Sequence, residues 1–321
     1  MSALAFTIVA LLLSGPVPAL LARARWPMRA PRAAIVLWQS VALAAVLSAF
    51  SAGLAIASRL FRPGSDGRPT ATLTGAVDTL GWPLWILHVA VLALTLLIGA
   101  RLTASVLNVA IATRRRRAHH RMVVDLVSSP GQAVPQLRTR CSAPVPGHGL
   151  RILDVDQPLA YCLPGVRSRV VLSEGALNTL SDQEIAAILS HERAHLRARH
   201  DLVLEMFTAV HAAFPRLVRS GNALTAVRLL IELLADDAAV RNTGPTPLAR
   251  ALVACASARA PRGALAAGGP TTVVRVQRLA GAPNSRIVAA GAYTAAVANL
   301  VIPTVAVAVP WLTELQRLFI A

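Results

Sequence analysis

The sequence predicts a mainly α-helical integral membrane protein, with four membrane-crossing helices and a cytoplasmic α+β domain inserted between the third and the fourth. Three observations predict it. Hydrophobic residues make up 55% of the 321, and the mean hydropathy is +0.57, far above what a soluble domain of this length shows. Four uncharged stretches are long enough to cross a bilayer: Met1 to Ala22, Ala33 to Ser58, Thr79 to Ala100 and Ile287 to Thr313. Between the third and fourth stretches lies an H-E-x-x-H sequence, His191-Glu192-Arg193-Ala194-His195. The expected division is therefore 1–113 for three helices and their connectors, 114–286 for the cytoplasmic domain, and 287–321 for the fourth helix and a short external tail.

The first stretch has no basic residue ahead of its apolar run, so it reads as a retained span rather than a cleaved signal. Orientation rests on arginine, because the chain has no lysine and all 32 of its basic residues are Arg. Arg23, Arg25, Arg29 and Arg32 follow span one, and Arg114 to Arg117 with Arg121 follow span three. Such clusters stay cytoplasmic, which puts both termini outside a multi-pass plasma-membrane protein. Arg101 interrupts the third apolar stretch near its inner end, where its side chain can snorkel to the interface.

The net charge of +17 raises the question of nucleic acid. Much of the excess flanks the spans, where it binds anionic headgroups. No basic stripe interleaved with aromatics appears, so membrane lipid rather than nucleic acid is the expected contact. Cys141, Cys162 and Cys255 lack C-x-x-C spacing and are expected to be reduced, structural thiols.

Inside the inserted domain, Arg114 to Asp125 continues span three as a basic amphipathic helix whose His119 and His120 are expected to be solvated. Ser128 to Gly149, rich in Pro, Gly and Ser, is a loop. Leu150 to Val155, Pro158 to Leu163 and Arg169 to Leu172 are short strands of a small antiparallel sheet. Its exposed edge either pairs with an extended peptide or merely covers the neighbouring helix. Ser181 and Glu184 form an S-x-x-E capping box, and Ile185, Ile188, Leu189 and Leu196 give the helix that follows an apolar stripe. Met206 to Pro215 is apolar but too short to span, so it is core or lies against the membrane.

The helix beginning at Ser181 carries the chemistry. Histidines four apart stack on one helix face, so His191 and His195 can reach one metal ion. Glu192, beside the first of them, is placed to take a proton from a water on that ion, the task of a hydrolytic base. Downstream, Glu232 and Asp236 share a face of an apolar helix from Leu224 to Val240. One can bind the metal while the other accepts a hydrogen bond from a ligand imidazole, or Glu232 can pair with Arg228 one turn earlier. His200, nine residues after His191, would fall on the opposite face of a continuous helix.

With these residues in hand, the chain resembles the BlaR/MecR-type antirepressor membrane metallopeptidases, relatives of the Ste-type and HtpX-type gluzincins. The resemblance rests on the four spans and on Leu163-Pro164, Val170-Val171-Leu172, the run His191 to Asp201, Phe214-Pro215, and Glu232 to Val240. It implies a zincin-like domain in which His191, His195 and Glu232 bind Zn2+, Glu192 is the catalytic base, and Asp236 supports a ligand from behind. It also implies a protein substrate, a winged-helix repressor of the BlaI/MecI type, and a role in signal transduction during antibiotic or envelope-stress response; self-association is allowed. The penicillin-binding sensor domain of some members needs an S-x-x-K nucleophile, and a chain without lysine has none, so a sensor-less short form is expected. Two other functions fit the same residues: quality-control cleavage of membrane proteins, as in the HtpX type, and a non-catalytic signalling protein with a structural zinc.

Overall fold

A computed structural model of the chain describes residues 2–60, 77–131, 149–215, 220–256, 271–281 and 284–305, with short pieces at 62–63, 69–70, 265–266, 309–310, 312–313 and 316. Cys141, most of the expected external loop, most of the Pro/Gly/Ser-rich joint and most of the C-terminal tail lie outside the described residues.

Four of the described helical stretches are long and apolar enough to cross a membrane. The first, Ala3–Arg23, is not one rod but α1 (Ser2–Ser14) followed by α2 (Pro16–Arg23). The break falls at Gly15, whose successor Pro16 lacks an N–H and crowds the residue before it out of the helical region. α3 (Pro31–Ala57) is the second, and α11 (Arg286–Pro303), capped by Ser285 Oγ, is the last. Between them stands α4 (Val77–Val127), 51 residues long and non-helical only at Gly81. At 1.5 Å per residue it extends roughly 75 Å, more than twice the thickness of a hydrocarbon core. The expected amphipathic continuation is thus the same helix as span three, and it runs on past Asp125.

The sheet has the order β1-β2-β4-β3-β5, with β1 at Ser128–Pro130, β2 at Gly149–Leu153, β3 at Ala160–Leu163, β4 at Arg169–Ser173 and β5 at Leu265–Ala266. It is mixed rather than antiparallel. β3 and β4 form an antiparallel pair, but β2 crosses to the far side of β4 and pairs with it in parallel, Leu150 opposite Val170 and Ile152 opposite Leu172. Both central strands are almost wholly buried, which suits their continuous apolar runs. On its other side β3 is paired with β5 of the same chain, Tyr161 opposite Ala266 and Cys162 opposite Leu265. The chain leaves β4 through the short helix α5 (Glu174–Thr179), whose Gly175 comes so close to Asp156 that a Cβ there would meet its carbonyl oxygen at 1.9 Å.

Five further described helices complete the domain: α6 (Asp182–Arg197), α7 (His200–Ala213), α8 (Ser220–Thr243), α9 (Pro245–Ala254) and α10 (Thr272–Leu279). One core joins the sheet to α6 and α9 through Val170, Leu172, Ile185, Ile188, Leu248 and Leu252. A second joins α7 and α8 to α2 and α3, with Trp38, Phe207, Val227 and Ile231 at its centre. The inserted domain therefore shares a core with the membrane helices. The apolar run from Met206 is part of that packing. Antiparallel to it, α4 supplies two bonds: Ser105 Oγ donates to Ala209 O (2.7 Å), and Arg101 Nε donates to Ala213 O (2.6 Å). Arg101 thus satisfies an open carbonyl at the C-terminus of α7. The inner end of α4 grips the sheet as well, through the ion pairs of Asp125 with Arg151 and Arg169 and through the contact of His120 Nε2 with Tyr161 Oη (3.2 Å). His120 is packed there rather than free in solvent.

Candidate metal centre

α6 begins as its sequence requires. Ser181 is the N-cap of a reciprocal capping box, and its backbone N–H donates to Glu184 Oε2 (2.8 Å). The apolar stripe turns Ile185, Ile188 and Leu189 into the core and carries His191, Glu192 and His195 inward with them, each no more than 1% exposed. α8 crosses α6 and presents Glu232 and Asp236 to the same point. Three donor atoms meet there: His191 Nε2 and His195 Nε2 are 3.1 Å apart, and the Glu232 oxygens lie 3.5 Å from the first and 3.6 Å from the second.

Those distances test whether an ion fits. Donors about 2 Å from a tetrahedral zinc lie roughly 3.3 Å from one another. The three present match that spacing, and two imidazoles with one carboxylate leave a fourth position for chemistry. Behind His191, Asp236 Oδ1 sits 3.0 Å from Nδ1. Behind His195, His200 Nδ1 sits 2.9 Å from Nδ1. Glu192 is wholly buried next to His191, and neither of its oxygens makes a hydrogen bond of ordinary geometry; the Cys162 thiol on β3 is its neighbour.

One residue that the sequence did not single out completes the cluster. Arg275 on α10 is 1% exposed; its Nε and Nη2 clamp the Asp236 carboxylate at 2.8 and 2.6 Å, and Nη1 lies 3.0 Å from Glu232 Oε2. The partner of Glu232 is therefore Arg275 from a distant helix and not Arg228. The only hint in the sequence is that two acidic groups on an apolar helix require a cation when buried.

Charges in the cluster shift one another strongly. Burial drives the Glu192 carboxyl up to about 7 against the pull of His191. Burial would likewise raise Glu232, but His195, His191 and Arg275 hold it down at about 2; Asp236 stays below its usual range through Arg275 and His191. Burial lowers His195 to about 3. His191 is brought up to about 9 because Asp236 and Glu232 outweigh its burial. Cys162 and Cys255, both buried and free, are raised by desolvation, Cys255 to about 11; they are protonated and unreactive.

The likeness to known proteins covers this region. Residues 136–282 match the family model of Peptidase family M48. The "Protease HtpX homolog" of Methanothermobacter thermautotrophicus is 25% identical over 140 residues, covering 43% of this chain and 50% of that protein. The chain thus spans about half the length of that curated relative. No solved structure matches it. All the residues of the cluster fall inside the M48 match, and together with the apolar helices these likenesses support a membrane metallopeptidase.

Proposed function

We propose that the chain is a zinc-dependent integral membrane endopeptidase whose ion is held by His191, His195 and Glu232. The observation that carries this reading is the spacing of the three donor atoms beside a buried carboxylate, Glu192, which is tied to no cation and has only the Cys162 thiol as its neighbour among the described contacts. Zinc, held by His191, His195 and Glu232, would supply Lewis acidity for peptide hydrolysis. Glu192 takes the proton of the attacking water and returns it to the departing amine; a carboxyl raised to about 7 does both near neutral pH. Asp236 Oδ1 faces His191 Nδ1 at 3.0 Å, so an ion on Nε2 would displace the proton there and leave the Nδ1–H donated to Asp236. Arg275 offsets the charge of two carboxylates that would otherwise repel each other.

The arginine distribution supports a cytoplasmic location for residues 114–286, with both termini outside the plasma membrane. The resemblance to antirepressor peptidases supports a winged-helix repressor of the BlaI/MecI type as substrate, in an antibiotic or envelope-stress response. The likeness to an HtpX homologue is equally consistent with a second reading, quality-control cleavage of membrane proteins. Detergent-purified protein and its Glu192→Gln variant decide between chemistry and scaffold: one zinc per chain in both, with peptide cleavage only by the first, is expected. Zinc in both with cleavage equal in both would sink the mechanism. Repressor loss in cells that depends on Glu192 selects the first substrate; turnover of misfolded membrane proteins with the repressor untouched selects the second.

A further inference from the structure

The helix that holds both histidines does not continue through Asp201. Arg199 takes the left-handed conformation (φ 49, ψ 45), the one described non-glycine residue with positive φ, and the chain turns there into α7. That turn brings His200 back over the end of α6. Instead of lying on the far face, its ring packs edge-on against His195, with centroids 4.9 Å apart, planes at 85° and the two Nδ1 atoms at 2.9 Å. Both rings are buried, at 3% and 1% exposure.

Two ring nitrogens at that distance share one proton, so one donates and the other accepts. The described hydrogen bonds give His195 Nδ1 no other partner. We propose that His200 is a positioning residue for the metal centre: its Nδ1 accepts from His195 Nδ1–H, fixing His195 as the tautomer whose Nε2 lone pair faces His191 and Glu232. This rests on the metal-binding reading above. The reverse assignment puts a hydrogen on His195 Nε2, where it points at the other two donors and blocks a ligand position. His200 itself is fixed from the next residue, since Asp201 is paired with Arg117 of α4 at 2.9 Å, and Arg117 also holds Glu205 at 2.6 Å. The two histidine ligands are therefore oriented differently, His191 by a carboxylate and His195 by an imidazole.

The test compares the full-length protein in detergent with His200→Ala, His200→Asn and His200→Gln, reading the zinc dissociation constant by competition with a chromophoric chelator and the visible spectrum of the cobalt-substituted forms. Asparagine places an acceptor oxygen where Nδ1 stands; alanine has none, and glutamine carries its acceptor one bond too far. Expected are a zinc dissociation constant roughly 10- to 100-fold higher for the alanine and glutamine variants, an altered cobalt spectrum in both, and near wild-type values for asparagine. Equal affinity in wild type and His200→Ala overturns the positioning role and leaves the metal centre standing. A wild-type protein that takes up no zinc overturns the metal centre and this role with it. If His200→Ala does not fold, the other two decide, because an asparagine variant as weak as the glutamine variant overturns the proposal.

Discussion

The two sides of the metal centre are built on different principles. On the His191 side, orientation comes from charge: Asp236, Glu232 and Arg275 form a buried ionic cluster drawn from α8 and α10. On the His195 side, orientation comes from a neutral ring placed by a backbone turn, and the charged residues Asp201 and Glu205 stand one step back, tied to the long membrane helix. The charged partners of the first side all sit on α8 and α10. The second is reached from the membrane. The difference teaches that a single ion site can draw one half of its geometry from local electrostatics and the other half from a helix that leaves the domain.

The strongest test removes chemistry without disturbing either side. Glu192→Gln should lower peptide hydrolysis by about 10²- to 10⁴-fold while zinc content, measured by atomic emission, stays at one per chain. Loss of zinc in this variant would mean that Glu192 belongs to the ligand set and that the comparison is drawn in the wrong place. Next is the charged side. Asp236→Ala removes the bidentate partner of the buried Arg275 while leaving its contact with Glu232, and should lower stability by about 3 kcal/mol in denaturant titration followed by far-ultraviolet dichroism. The double variant Asp236→Ala/Arg275→Met should recover much of that loss, since a buried pair can be exchanged for apolar packing more cheaply than halved. Chelation of zinc should lower the unfolding free energy by about 2.7 kcal/mol when the reference state holds the metal at a hundred times its dissociation constant. The smallest effect belongs to the membrane-linked side: Arg117→Ala should cost about 1.5–2.5 kcal/mol, the worth of charge-assisted bonds to two carboxylates that are 11% and 15% exposed. A loss as large as that of Asp236→Ala would show that the second side is as rigidly held as the first.

What could be read from the sequence follows the same division. The capping box at Ser181, the apolar stripe of α6 and the stacking of His191 over His195 are local, set by helical period, and were expected from residues a few positions apart. The convergence of Glu232 and Asp236 on that point was expected from their shared face and from family resemblance. Arg275 was not, because its partnership spans 39 residues to Asp236 and no periodicity encodes a meeting of α8 with α10. His200 was misplaced for a sharper reason. A continuous helix through Asp201 sends it to the far side, and the left-handed turn at Arg199 is a conformation that an arginine gives no sign of adopting. The sheet failed in a similar way: the short runs were visible, but the parallel pairing of β2 with β4 is a matter of crossing order, which the runs themselves do not contain.

α4 carries its contacts at fixed intervals on one uninterrupted helix: Arg101 at the end of α7, Ser105 beside Ala209, Arg117 on Asp201 and Glu205, and Asp125 at the sheet. Such a helix acts as a ruler. A single residue inserted between Ser105 and Arg117 would advance everything beyond it by about 1.5 Å and turn it by about 100°. The two outer contacts with α7 would stay in place while Arg117 swung away from Asp201 and Asp125 from its arginines. The number of residues in that interval, and not their identity alone, is therefore part of how His195 is held.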